Sequence, residues 1–475
     1  MCSDAFLGPT ENALCAVDRF EIARTLSGLQ KFAPVGFGRR KTHAVYRILA
    51  CMSMIEVNGR SYRAPEEPTV VICLDGCDPA YLAQGLPDGV FPTIGSFRES
   101  GYFGQADAVL PTFTNPNNVS IVTGTPPAVH GISGNYYLDR ETGREVMITD
   151  ASLMRAETIL ARMSRSGVAT AAITAKDKLR KMLGRNLTGI SFSSERADQA
   201  TIAENGITNV EGLVGRPKPD PYSADLSLYV LDAGIRLLER RAADLLYLSL
   251  SDYVQHAHAP GEPESNSFHR AVDDRVRRMV DLGAVVGLVA DHGMNDKANS
   301  EGEPNVVFLE EEFDRLFGPG AARVICPITD PFIRHHGALG SFVRVYRQKA
   351  ADQQALMAAS ASLPGVAAVI DGREAAQRFE MPADREGDFV VLGDAHTVIG
   401  SRRAEHDLSG LAGRRLRSHG GLDEQRVPFI LSRAVNPNYQ RFARSGRLRN
   451  FDIFDFALNG FERPLSSRPV RSALV

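Results

Sequence analysis

The amino-acid sequence predicts an α/β protein in which a mostly parallel sheet is sandwiched by helices and a small α+β cap is inserted late in the chain. Three observations predict this. From residue 68 onward, apolar runs alternate with amphipathic stretches, which is how successive βα units read. Three of those runs, at 69–74, 244–250 and 284–290, are almost continuously hydrophobic, as strands covered on both faces must be. Between 321 and 393 the rhythm changes to short strand-like and helix-like segments in α+β order.

Residues 1–51 have weak periodicity, a Gly/Arg/Lys cluster at 36–41 and three of the six cysteines (Cys2, Cys15, Cys51), and they lack the pattern of a secretory signal. They are expected to be a dispensable extension or a mis-assigned start. The core then occupies 52–320. Its first strand, 69–74, ends at Asp75; a helix at 157–166 precedes a strand at 168–174, which leads into a helix at 175–183. The run at 244–250 stops two residues before Asp252, and that at 284–290 stops at Asp291. The cap, 321–393, is expected to hold strands at 323–328, 341–346, 366–370 and 388–392, with helices at 350–362 and 372–379. The core resumes over 394–475, carrying His419 and a further βα signal at 427–431.

Composition narrows the class of function. Of 475 residues, 43% are hydrophobic and 23% charged, which is ordinary for a globular protein. Lys and Arg total 54 against 57 Asp and Glu, a net charge of −3, so no basic field exists to bind nucleic acid by counterion release. The longest apolar stretch, 282–290, has nine residues, half of the roughly 18 needed to cross a bilayer. Six cysteines without a paired Cys-x2-Cys spacing suit a reducing compartment, and a cytoplasmic protein without nucleic-acid or membrane partners is expected. Homodimeric assembly stays open.

The chemistry concentrates at strand ends. In open α/β sheets the carboxyl edge of the strands is where ligands bind. Asp75-Gly76, Asp252-Tyr-Val-Gln-His256, Asp291-His292-Gly293 and Ser418-His419-Gly420 supply three aspartates and three histidines, enough for two cations of zinc type. Thr114 precedes Pro116 at the start of an expected helix, where the ordinary role is an N-cap. A hydroxyl beside a dication has another use, because coordination makes it a nucleophile and the helix N-terminus stabilises a phosphoryl dianion. Thr112 competes for that role. Asn135, after Gly134, offers an amide for a phosphoryl oxygen, although turn formation is its commoner use.

These residues together resemble the alkaline phosphatase superfamily, and within it the nucleotide pyrophosphatase/phosphodiesterase branch. The resemblance rests on Asp75, Thr114 in Pro-Thr-x-Thr-x-Pro-Asn followed by Ser-Ile-Val-Thr-Gly, His130-Gly131-Ile132, Asn135, Asp252 to His256, Asp291-His292-Gly-Met and His419-Gly, over about 68–435. It implies an alkaline-phosphatase-like fold and two zinc ions, with iron or manganese as substitutes. One is implied to be held by Asp252, His256 and His419, the other by Asp75, Asp291, His292 and the Thr114 oxygen, with a phosphothreonine intermediate. Sulfatases are set aside because Cys77-Asp-Pro79-Ala-Tyr81 lacks their arginine.

Lys176 and Lys178, two apart after the 168–174 run, are expected to project to the same edge and to bind a substrate carboxylate. With these lysines in support, the resemblance implies as substrate a small anionic phosphonate whose C–P bond is hydrolysed. A nucleotide diester is the alternative, and a non-catalytic metal-binding protein the remote one. His258 is a secondary candidate ligand, His130 a structural residue, and Cys73 and Cys77 packing residues; His335 and His336 are expected at the surface of the cap.

Overall fold

The computed structural model of the protein describes residues 54–329, 336–348, 351–411 and 413–461, within a unit spanning Cys51–Val475. The expected extension over 1–51, and His335, lie outside them. Eleven strands build the two larger sheets: β1 (Thr69–Cys73), β2 (Tyr102–Asp107), β3 (Thr170–Thr174), β4 (Ile190–Ser193), β5 (Leu245–Ser249), β6 (Val285–Val289), β7 (Ala322–Ile325), β8 (Phe342–Arg347), β9 (Val366–Asp371), β10 (Phe389–Gly393) and β11 (Arg426–Leu431).

The central sheet has the order β2-β11-β6-β1-β5-β3-β4. Its middle strands β1, β3, β5 and β6 are buried at every residue, which is why their sequences show continuous apolar runs in place of alternation. Alternate side chains still divide between two layers. Val70, Ile72, Leu246, Leu248, Val286 and Leu288 share a core with helices α3 (Asp225–Glu239) and α5 (Pro263–Asp281). Tyr247 meets Phe454 on the other layer, with ring centroids 5.9 Å apart. At Gly287 an added Cβ would stand 3.2 Å from the side chain of Ile453, so a larger residue would require that side chain to shift.

Strands β6, β1, β5, β3 and β4 run parallel, whereas β11 is antiparallel to both β6 and β2. The βα reading of 427–431 is thus corrected in direction. The chain reaches β11 from His419 at the carboxyl edge of the sheet, so it enters where β6 ends, with Phe429 opposite Val289. Pro428 is tolerated there because pairing with β6 stops one residue short of it.

Residues 322–393 form a second, wholly antiparallel sheet of order β7-β8-β10-β9, with helices Gln353–Ala361 and Gly372–Arg378 and a core of its own around Phe342, Phe389, Val391 and Leu356. The edge strands β2 and β4 of the central sheet, and two small hairpins, were not singled out in the sequence. A hairpin pairs Met54–Val57 with Arg60–Arg63 across Asn58-Gly59, both at positive φ, and a second pairs Tyr136–Asp139 with Arg144–Met147.

Candidate active site

Register fixes where the carboxylates emerge. Cys73, Ser249, Val289 and Thr174 lie in one row across β1, β5, β6 and β3. Asp75 and Asp291 each stand two residues beyond that row, Lys176 likewise, and Asp252 three beyond. Gly76, at φ +68°, turns the chain behind Asp75; a Cβ there would lie 3.0 Å from the Cβ of Asp252, so glycine permits both loops to meet. Asp252 is the N-cap of the short helix α4 (Tyr253–Ala257), whose last turn carries His256.

The side chains converge. His256 Nε2 is 2.9 Å from Asp252 Oδ2, and His419 Nε2 is 3.8 Å from the same oxygen. His292 Nε2 is 3.3 Å from Asp75 Oδ1, 3.8 Å from Asp291 Oδ2 and 3.3 Å from Thr114 Oγ1. The His292 and His419 rings stack at 3.6 Å and 6°. All of these residues are buried except Thr114, which is partly open.

Each of the three rings turns Nδ1 to a backbone carbonyl: His256 to Arg417 O at 2.7 Å, His292 to Gly293 O at 2.9 Å and His419 to Thr112 O at 2.7 Å. A carbonyl only accepts, so Nδ1 carries a proton, and in the neutral ring Nε2 keeps its lone pair. Lone pairs on Nε2 then face carboxylate oxygens, an arrangement of acceptors against acceptors that a cation resolves. Asp75 Oδ1 has no hydrogen-bond partner, and its carboxyl is pushed well above the usual range by burial and by the charges of Asp252 and Asp291. His419 is pushed well below its ordinary value by burial and by the neighbouring His292 and His256. The donor set fits divalent metal: Asp75, Asp291 and His292 have ligand atoms within 4.8 Å of one another, as do Asp252, His292 and His419. His256 reaches the second group through its contact with Asp252, so His292 lies between the two sets.

Thr114 is the first residue of helix α1 (Thr114–Thr123), and Phe113 is its N-cap, so the expected N-cap role of Thr114 is corrected. Its hydroxyl is not spent on capping. The hydroxyl of the competing Thr112 donates to Gly421 O at 2.9 Å and is fully buried. Asn118, one turn along α1, was missed in the sequence. Its Nδ2 donates to Asp291 Oδ2 at 2.9 Å and Thr114 O at 3.1 Å, while its Oδ1 accepts from the Tyr247 and Ser249 hydroxyls at 2.7 and 2.8 Å. The adjacent amides Asn117 and Asn118, buried within a helix also buried at Val119, Ile121 and Val122, were the available signal. Arg417 was also missed: its guanidinium pairs with Asp296 and donates to Gln255 O at 2.8 Å, and its own carbonyl holds His256.

The cavity above these groups has a volume of about 340 Å³, at the small end for ligand pockets. Asp75, Thr114, Asn135, Lys176, Lys178 and Asp252 all line it. Asn135 Nδ2 spends one hydrogen on Ile328 O at 3.2 Å and retains the other. Asn115 lines the cavity too and carries a buried Nδ2 without a partner, a second residue the sequence did not single out. His258 points elsewhere, toward Glu262 at 3.0 Å. His130 bridges Ser120 Oγ at 2.8 Å and the Ile132 N–H at 3.1 Å, behind α1. His336, expected at the surface, is buried with its ring 5.3 Å from that of His256; the expectation fails because the ring packs against a histidine of the site.

Residues 69–421 match the model of the family described as type I phosphodiesterase/nucleotide pyrophosphatase. The chain belongs to that family. Among solved structures, this type I phosphodiesterase relative is similar to phosphonoacetate hydrolase from Sinorhizobium meliloti 1021, in complexes with phosphonoformate and with phosphonoacetate. Identity is 45%, coverage 86% of this chain and 99% of that chain, and the TM-score 0.81. A phosphonoacetate hydrolase of Penicillium oxalicum is 53% identical over 49 residues, 10% of this chain and 68% of the relative. Murine ectonucleotide pyrophosphatase/phosphodiesterase 5, 17% identical over 84% of this chain and 96% of that one with a TM-score of 0.54, shares the fold.

Proposed function

We propose that the protein hydrolyses the C–P bond of phosphonoacetate to acetate and phosphate. The observation that carries this reading is one small cavity lined by Thr114, by Asp75 and Asp252 of the metal-ligand set, and by Lys176 and Lys178. The similarity to phosphonoacetate hydrolase over 99% of the Sinorhizobium chain supports the same substrate. We assign two zinc ions to the Asp252, His256 and His419 side and to the Asp75, Asp291, His292 and Thr114 side; bound there, they would lower the pKa of the Thr114 hydroxyl and offset the phosphoryl charge.

Thr114 Oγ1 attacks phosphorus, its proton passing to solvent. The O–P bond forms as the P–C bond breaks, and the electron pair goes to the methylene carbon. A bare carbanion is a very poor leaving group, so the adjacent carboxylate must take up the charge as an enediolate. Lys176 and Lys178 hold that carboxylate and stabilise charge that grows in the transition state, where stabilisation raises the rate. Protonation from solvent gives acetate. Asn135 donates its remaining N–H to a phosphonyl oxygen. Water then cleaves the phosphothreonine, returning the Thr114 hydroxyl and releasing phosphate.

The family match favours a second reading, phosphodiester hydrolysis on the same groups. Phosphate release from phosphonoacetate, compared with nitrophenol release from a nitrophenyl phosphodiester, separates the two. We expect phosphonoacetate to be preferred and the activity to vanish with chelator and return with Zn²⁺. Faster turnover of the diester would reverse the assignment, and activity untouched by chelator would remove the metal from it.

A further inference from the structure

Lys176 does not reach the cavity as a loose side chain. It stands at the N-cap of helix α2 (Asp177–Leu183), and its carbonyl accepts from the Thr174 hydroxyl at 2.8 Å. Its Nζ donates to Pro221 O at 3.0 Å and lies 5.2 Å from the centroid of the Tyr222 ring. A lysine ammonium within about 6 Å of an aromatic face is attracted by the ring quadrupole. One of its three N–H groups is spent on Pro221, which leaves two for a ligand.

The segment that grips it is itself braced. Prolines 217, 219 and 221 restrict the backbone of 216–222. Asp220 Oδ1 accepts from the Tyr222 N–H at 2.7 Å, and Ser223 Oγ donates to Asp220 O at 2.8 Å. Arg216 anchors the base of the segment to Asp232 at 3.0 Å and to Asp225. Tyr222 is 51% exposed, so its ring face lies at the solvent side of the Lys176 ammonium, with which it makes contact.

We infer that Tyr222, with the Pro221 carbonyl, is a positioning residue that holds the Lys176 ammonium ready for the substrate carboxylate. A free lysine head would lose rotamer freedom on binding. Here much of that ordering precedes the substrate, and specificity for a carboxylate-bearing phosphonate gains from it. The inference rests on the proposed function.

The test compares Tyr222→Ala and Tyr222→Phe in the full-length, metal-loaded enzyme. Tyr222→Ala should raise KM for phosphonoacetate by about threefold to tenfold with kcat changed less, and Tyr222→Phe, which keeps the ring, should stay near wild type. The inhibition constant of inorganic phosphate, which has no carboxylate, should not move. In a Lys176→Ala background, Tyr222→Ala should have no further effect. An unchanged KM, an equal loss of phosphate affinity, or a loss undiminished in the Lys176→Ala background overturns the inference while the function stands. If the wild type releases no phosphate from phosphonoacetate, the function reading fails and this inference falls with it.

Discussion

Three imidazoles at the site each donate from Nδ1 to a main-chain oxygen, and this determines what Nε2 can do. The rings are oriented before any ligand arrives, which keeps reorganisation small when charge develops. Thr114 is the residue on which the chemistry turns: Thr114→Ala should lower phosphate release at least about a thousandfold while metal content per chain stays near wild type, measured by elemental analysis. Asn118 acts through its neighbours. Asn118→Ala would strip Asp291 Oδ2 and the Thr114 carbonyl of a donor and the Tyr247 and Ser249 hydroxyls of an acceptor. We expect metal affinity to fall about 10- to 100-fold in competitive chelator titrations, as for other groups that orient metal ligands. The aspartates and histidines were legible in the sequence because they sit at the ends of apolar runs. Asn118 was not, since its meaning depends on Asp291, 173 residues away.

Two segments follow ligands from distant parts of the chain, 293–297 after His292 and 420–424 after His419, and a buried ion pair ties them together. Lys297 Nζ meets Glu424 Oε1 at 2.8 Å with both side chains fully buried. Glu424 also accepts from Asn295 Nδ2 at 2.6 Å and the Gly421 N–H at 2.9 Å, and its carbonyl accepts from Gly293 N at 2.8 Å. Lys297→Met would leave a buried carboxylate uncompensated, so folding stability should drop by about 3–5 kcal/mol, read by denaturant titration. At this scale the middle strands were readable, since continuous apolar runs mark buried parallel strands wherever they pair, whereas the edge strands β2 and β4 were not. The direction of β11 was not, because periodicity is the same for either orientation and only its entry from the ligand edge decides it.

Across the whole molecule, buried histidines couple folding to pH. His130 is held down to about 3 by burial and by the nearby Arg385 charge, and His269, among Tyr81, Phe91 and Phe268, to about 4 by burial. Both lie below the ordinary value of 6.5. Between 6.5 and those values the unfolded chain binds more protons than the folded one, so stability is complete above pH 6.5 and is lost as pH falls. Each group should contribute a slope of up to about 1.4 kcal/mol per pH unit in that window. Denaturant unfolding of wild type and His269→Gln from pH 7 to 4.5 should show a slope shallower by about one proton in the variant.

The sequence by itself determined the α/β class, the buried middle strands, and the Asp, His and Thr residues that meet at the site, because local periodicity and strand ends are properties of neighbouring residues. Only the tertiary structure decided the orientation of the rings, the burial of His336, the support from Asn118 and Glu424, and the grip of Tyr222 on Lys176. Each of these depends on a partner brought close by folding; Arg417 and His256, which share a hydrogen bond, are 161 residues apart.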